Sequence, residues 1–189
     1  MNPKDILNES DQRTLLALAR SAVGEALMTG RRPKKVEVLS PLLREKRGVF
    51  VTLLQEDALR GCVGFPYPTK PLAVAGQEAA YSAAFEDSRF PPLDPRELEG
   101  LEFEISVLSV PEPIKPEQVK IGVHGLLVKK GIRSGLLLPQ VAFDERWSVE
   151  EFLSQTCRKA SLSLDAWKKG AELLGFEAQI FGDVDLARR

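Results

Sequence analysis

The chain is poor in the residues that most often do chemistry. Its 189 residues include one histidine, His124, and two cysteines, Cys62 and Cys157. Two cysteines cannot build a disulfide framework, and three scattered soft ligands with no metal-binding spacing predict neither a metal site nor a cofactor. Long apolar runs are also missing. Gly135-Leu136-Leu137-Leu138 is among the longest, far short of what a bilayer span needs. The start, Met1-Asn2-Pro3-Lys4-Asp5, lacks the apolar stretch of a signal peptide, so the expected location is cytoplasmic. Neither sign of charge dominates: 26 basic and 27 acidic residues give a net charge of −1. That balance provides no field for holding nucleic acid or a membrane surface. The short basic stretches, Arg31 to Lys35, Lys129-Lys130, Arg158-Lys159 and Lys168-Lys169, have no interleaved aromatics, so nucleic acid is not the expected partner. No phosphate loop, dinucleotide fingerprint or nucleophile elbow occurs. Asparagine occurs only at Asn2 and Asn8, a scarcity that suggests a thermophilic source.

What is present reads as one α+β unit. Leu15, Leu18, Ala19, Ala22, Val23 and Ala26 paint one face of a helix, with Ser10 as its expected N-cap and Gly30 as its stop. Gly48 to Gln55 is apolar on both faces, as a central strand would be, and Leu59 to Phe65 returns from it as a hairpin. A helix opening at Pro71 carries a small face of Ala75, Ala79, Ala80 and Ala83. Leu101 to Val110 alternates with period two, so one of its faces is wet. Pro111, Pro113 and Pro116 form a stiff connector, and a subdomain boundary is expected near 111–118. Beyond it lie a second hairpin, Gly125 to Lys130 with Gly135 to Leu138, and a helix opened by the capping box Ser148-Val149-Glu150-Glu151. A shorter helix follows near Asp165, then a last strand over Phe176 to Gly182 and a polar tail over 183–189. Hairpins with helices between them fit α+β, with antiparallel sheet and flanking helices.

Several segments together resemble the AMMECR-type domain family. Leu59-Arg60-Gly61-Cys62-Val63-Gly64 is similar to its signature hexapeptide, and Asp87-Ser88-Arg89-Phe90-Pro91-Pro92 to its DPRFPP segment. Glu104-Ile105-Ser106-Val107-Leu108, Ile121 to Leu126, Gly135 to Val141 and Cys157 to Leu162 follow in the family's order, with Ser161 where glycine is usual. The resemblance covers roughly residues 10 to 182 and gives a single domain over 8–182. It implies an α+β fold with a larger N-terminal and a smaller C-terminal lobe. It implies no established reaction, and it points to Memo-type and radical SAM proteins as partners. No residue pattern assigns an oligomeric state.

The hexapeptide is the candidate site. Strand alternation places Leu59, Gly61, Val63 and Phe65 on a core face and Arg60, Cys62 and Gly64 on the other. Gly61, lacking a side chain, lets a helix approach closely; the alanine-rich one is the natural candidate. Arg60 would anchor an anionic group, and Gly64 would keep the surface open to a ligand. Glu104 could reach Arg60 across the sheet, and Gln140, after Pro139, could present an amide. Two readings stand. One is a binding or adaptor protein, or non-catalytic subunit, with a ligand cleft around the motif. The other is an enzyme in which Cys62 is a nucleophile or redox thiol, Arg60 the anion anchor and His124 the base. Against the second, a lone cysteine is commonly a small buried residue and a lone histidine a hydrogen-bonded structural one.

Overall fold

The computed structural model describes residue 1, residues 6–34, residue 37 and residues 40–183. The basic stretch is therefore described only as far as Lys34, and the polar tail beyond Asp183 lies outside the described residues. The chain forms two compact units: residues 2–107 with 179–189, and residue 1 with 108–178.

In the first unit, α1 (Glu9–Thr29) buries Leu15, Leu16, Ala19, Ala22, Val23 and Ala26. Its N-cap is Asn8 rather than Ser10. The Asn8 side chain accepts a 2.9 Å bond from the Asp11 N–H, while Ser10 is already in the first turn. Gly30 closes the helix in the left-handed conformation, φ 66°. A short helix α2 (Pro41–Arg44) follows, then the antiparallel hairpin of β1 (Gly48–Gln55) and β2 (Ala58–Phe65). Its two-residue turn, Glu56-Asp57, holds both residues at positive φ. That geometry usually recruits glycine or asparagine, because side chains cost energy there.

Helix α3 (Leu72–Phe85) lies on this hairpin and against α1, and its alanines 75, 79, 80 and 83 are all buried. β3 (Leu101–Leu108) buries Phe103, Ile105 and Val107. With β8 (Ala178–Gly182) it completes a four-stranded sheet in the order β2-β1-β3-β8, so β2 is an edge.

The second unit has its own four-stranded sheet, β4-β7-β5-β6. Its strands are β4 (Glu112–Pro113), β5 (Gly125–Lys130), β6 (Arg133–Leu137) and β7 (Glu172–Phe176). The last strand expected over Phe176 to Gly182 is β8, beginning two residues later, because Phe176 ends β7 and the chain turns at Glu177 into the other sheet. Helix α4 (Pro139–Asp144) begins directly after the second hairpin. Helix α5 (Val149–Lys159) carries the expected capping box, in which the Glu151 carboxylate accepts from the Ser148 N–H at 2.7 Å. The short helix near Asp165 is a single 3-10 turn, Ala166–Lys168.

α5 ends in a Schellman motif. Ser161 N–H donates to Arg158 C=O at 2.9 Å and Leu162 N–H to Cys157 C=O at 3.0 Å, with Ser161 at φ 56°. Close approach shapes this unit as well. A Cβ on Gly135 would lie 2.3 Å from the Ala160 nitrogen, so only glycine lets β6 press against the end of α5.

Candidate functional site

Seven of the eight β2 residues pair with β1, from Ala58↔Gln55 to Phe65↔Val49, but the register slips once. Leu53 faces Gly61 and Leu54 faces Leu59, which leaves Arg60 as the extra residue of a β-bulge. The bulge reverses the facing of what precedes it. Leu59, expected on the core face, pairs with the outward Leu54 and is 44% exposed. Beyond the bulge the expected alternation holds, with Gly61 and Val63 opposite the fully buried Leu53 and Val51.

Gly61 does what its missing side chain suggested. A Cβ there would stand 2.2 Å from the Ala83 carbonyl oxygen of α3, so the helix backbone rests directly on the strand. Gly64 behaves otherwise. The space over it, expected to be open to a ligand, is filled by the Phe50 ring, which a Cβ would meet at 2.4 Å.

Arg60 does not face an open anion site. Its Nε and one terminal nitrogen donate to the two Glu97 oxygens at 2.6 and 3.0 Å, and its side chain is only 11% exposed. This fork-to-fork pair is the strong form of an arginine–carboxylate contact. The hydrogen bonds from Arg60 hold the Glu97 carboxyl below its ordinary pKa. The carboxylate that meets Arg60 is thus Glu97, in a 3-10 turn (Pro95–Glu97), and not Glu104, which the sequence had left as one candidate. Glu97 also accepts from the Asp94 N–H at 2.8 Å, completing a capping box. The other Arg60 terminal nitrogen is buried without a partner.

Cys62 lies on the sheet edge, where an unpaired strand would expose its backbone groups. Both are occupied. Its N–H donates to Asp87 Oδ2 at 2.9 Å and its C=O accepts from Arg89 at 3.1 Å. Asp87 and Arg89 are themselves joined by two bonds of 2.9 and 2.6 Å. The Asp87 side chain is 6% exposed and that of Arg89 is 53% exposed. Hydrogen bonding from Arg89, helped by the Cys62 N–H, outweighs burial and drives the Asp87 carboxyl far below the usual carboxylate range. The Cys62 sulfur accepts from the Thr52 hydroxyl at 3.3 Å. The Phe90 ring lies under both guanidinium groups, 6.0 Å from Arg60 and 5.5 Å from Arg89. The loop is tied back to α3 by Leu93 N–H donating to Ala84 C=O at 2.9 Å.

The structure therefore brings together Arg60, Gly61, Cys62, Asp87, Arg89, Phe90 and Glu97. His124 and Gln140 are in the other unit. His124 Nδ1 accepts from the Lys120 N–H at 3.1 Å. Burial, followed by the Lys120 charge, lowers its pKa below the ordinary histidine value. Gln140 sits in the first turn of α4 with its side-chain oxygen buried and unpartnered. Cys157 is fully buried in α5, and burial pushes its thiol pKa up. Among the described residues no cluster of metal-ligating side chains occurs, and no helix is long and apolar enough to cross a membrane. Sequence reading overlooked Glu97 and Thr52. The Asp94-x-x-Glu97 capping spacing behind Pro95 was a usable signal for the first; nothing local marked the second.

The bulged strand, the glycine under α3 and the clamp across Cys62 coincide with the segments that carried the family resemblance. The AMMECR1 family matches residues 16–181, and the chain belongs to it. A protein of Methanosarcina acetivorans is 46% identical over 189 residues, covering 95% of each chain. One of Methanopyrus kandleri is 49% identical, covering 90% of this chain and 87% of its own. The crystal structure of an uncharacterized protein from Pyrococcus horikoshii superposes with a TM-score of 0.88 at 42% identity, over 97% of this chain and 96% of that one.

Proposed function

We propose that this protein is a non-catalytic binding protein or subunit, and that its recognition surface is the Asp87–Pro92 segment where it clamps edge strand β2. One observation carries this reading: the Arg60 fork and the edge-facing backbone groups of Cys62 are engaged inside the molecule. Arg60 is chelated by Glu97, and both edge groups of Cys62 are taken by Asp87 and Arg89. A strand so committed builds a surface more readily than it attacks a substrate. Leu59, Ser88, Arg89, Pro91 and Pro92 are what this region exposes. Their mix of apolar and cationic groups suits a protein partner. The family resemblance makes Memo-type and radical SAM proteins the first partners to test.

The test measures binding of purified Memo-type and radical SAM proteins to the wild-type chain and to Leu59→Asp and Pro92→Asp variants. Both changes are exposed and should leave folding intact while weakening binding at least about tenfold. Met28→Asp, at an exposed site on α1, should bind as wild type. Undiminished binding by both variants, or no binding by either partner, sinks the proposal.

A second reading keeps Cys62 as a reactive thiol, and the contact that favours it is the Thr52 hydroxyl donating to its sulfur. The guanidinium beside Cys62 is then Arg89, not Arg60. Faster alkylation of Cys62 than of Cys157, abolished in Arg89→Ala, would support it; equal inertness of the two thiols would remove it.

A further inference from the structure

The turn between β5 and β6 is two residues long, Gly131-Ile132, since Lys130 pairs with Arg133. Gly131 takes the positive φ, 60°, that such a turn needs at its first corner. The second corner ordinarily carries a small polar residue. Here it carries Ile132, which is 104% exposed, the most exposed of the large apolar side chains described. A shallow groove of about 580 Å³ runs beside this turn. One wall is the turn with Lys130 and Arg133; the other is Leu162, Ser163 and Ala166, on the segment after α5. Leu164, on that same segment, is 54% exposed.

The two cations keep their charge. Lys130 Nζ donates to the Lys169 C=O at 2.7 Å, and Arg133 donates to the Ser161 C=O at 3.0 Å. Both acceptors are neutral carbonyls, and neither cation is held in an ion pair among the described residues. No carboxylate lines the groove. Asp165, on the same segment, is paired with Lys169 and hydrogen-bonded by the Ser163 side chain. Part of this has a bland explanation. Charges beside a hairpin discourage edge-to-edge pairing, and cations near a helix end satisfy its last carbonyls. Those rules cover Lys130 and Arg133 but not Ile132. A single apolar residue on a surface means little. This one stands at a turn corner that favours polar residues, over a groove whose opposite wall holds Leu162 and Ala166.

We propose that this groove docks an acidic linear segment of a partner protein, in which an apolar side chain is flanked by aspartates or glutamates. The apolar anchor covers Ile132 and rests against Leu162 and Ala166, as the buried centre of an interface does. The flanking carboxylates meet Lys130 and Arg133. Charge complementarity selects this occupant, since both rim charges are positive and no acid on the groove opposes them. A membrane surface is flat; it would cover the turn and leave the groove unfilled. Single-stranded nucleic acid would find no aromatic ring in the lining on which to stack a base. The groove lies within the second unit and shares no residue with the surface on β2.

The test is fluorescence anisotropy of the full chain with a labelled peptide of about twelve residues, aspartates and glutamates around a central Leu-Phe pair. The peptide should saturate with a Kd below about 100 µM at about 50 mM salt. Replacing Leu-Phe by Ser-Ser, or the acids by their amides, should each weaken binding at least about tenfold. Ile132→Ser should do the same with an unchanged melting midpoint, because the side chain is fully exposed. Lys130→Gln with Arg133→Gln should also lose at least about tenfold. If that double variant melts lower for want of its carbonyl bonds, Ile132→Ser decides alone. Met28→Ser, another exposed apolar site, should bind as wild type. The proposal is overturned if the peptide does not saturate, if the Ser-Ser peptide binds as well, or if Ile132→Ser binds as wild type. Binding to phosphatidylserine vesicles without binding to the peptide assigns the turn to a membrane and overturns it too. So does a dimer, seen by sedimentation and lost in Ile132→Ser, in a chain that ignores the peptide.

Discussion

Gly61 of β2 and Ala83 of α3 approach so closely that a Cβ on the glycine would sit 2.2 Å from the Ala83 carbonyl oxygen. The obstacle is helix backbone, which cannot swing aside as a side chain could. The helix therefore fixes the position of β2, and with it the place where the Asp87–Pro92 segment docks. Gly61→Ala should cost about 2–4 kcal/mol, somewhat beyond ordinary overpacking. Gly24→Ala is the control, since its nearest neighbour would be a Leu98 methyl carbon at 4.0 Å. In the interior of α1 that change should be neutral or stabilising by up to about 1 kcal/mol. Urea unfolding of the two variants measures the contrast.

Removing Glu97 would leave a largely buried guanidinium uncompensated. Glu97→Ala should destabilise by about 2–4 kcal/mol. The double change Arg60→Met with Glu97→Leu should recover much of that loss, since two apolar groups bury without a charge to neutralise. A double-mutant cycle read by denaturant midpoints checks both.

The clamp on Cys62 carries a pH signature. Asp87 has its folded pKa depressed below the unfolded value, so its contribution is fully present above the ordinary carboxylate range and is lost as pH falls through the folded value. Glu97 is depressed in the same direction by Arg60. Stability should hold near neutrality and drop as pH falls below about 4. In Asp87→Asn the acid-side slope should be shallower, with a loss at pH 7 of about 1–2 kcal/mol, because Arg89 is half exposed and screened. Thermal melts from pH 7 to pH 3 measure this.

Ser161 occupies the left-handed position of the Schellman motif that ends α5, at φ 56°. A side chain there is strained, although glycine loses more entropy on folding. Ser161→Gly should stabilise by about 0.5–1 kcal/mol net, visible as a higher melting midpoint.

The sequence disclosed most where one local rule decided the outcome. Gly61 could be assigned to a close helix approach because alternation put an absent side chain between apolar neighbours. Ser148–Glu151 and Gly30 announced their caps by spacing and by residue type. Leu59 was misplaced because the bulge at Arg60 depends on how β2 meets β1, and the hexapeptide itself carries no mark of it. Arg60 found Glu97 instead of Glu104 for a related reason: the partner is brought by a loop 37 residues away. Gly64 seemed open because its neighbour in space, Phe50, sits on the other strand. The strand over Phe176 to Gly182 was begun two residues early because Phe176, which closes β7, is apolar and lies only two residues before β8 of the other sheet.

The most direct measurement is amide hydrogen exchange at Cys62, in the wild-type chain and in Asp87→Ala. A backbone N–H on the free side of an edge strand exchanges readily; one held by a buried carboxylate does not. Cys62 should be protected in the wild type and should lose at least about tenfold of that protection in Asp87→Ala, while Leu53 and Val51 in the core stay slow. Rapid exchange at Cys62 in the wild type, or protection that survives removal of the Asp87 carboxylate, would contradict the clamp on which the recognition surface rests.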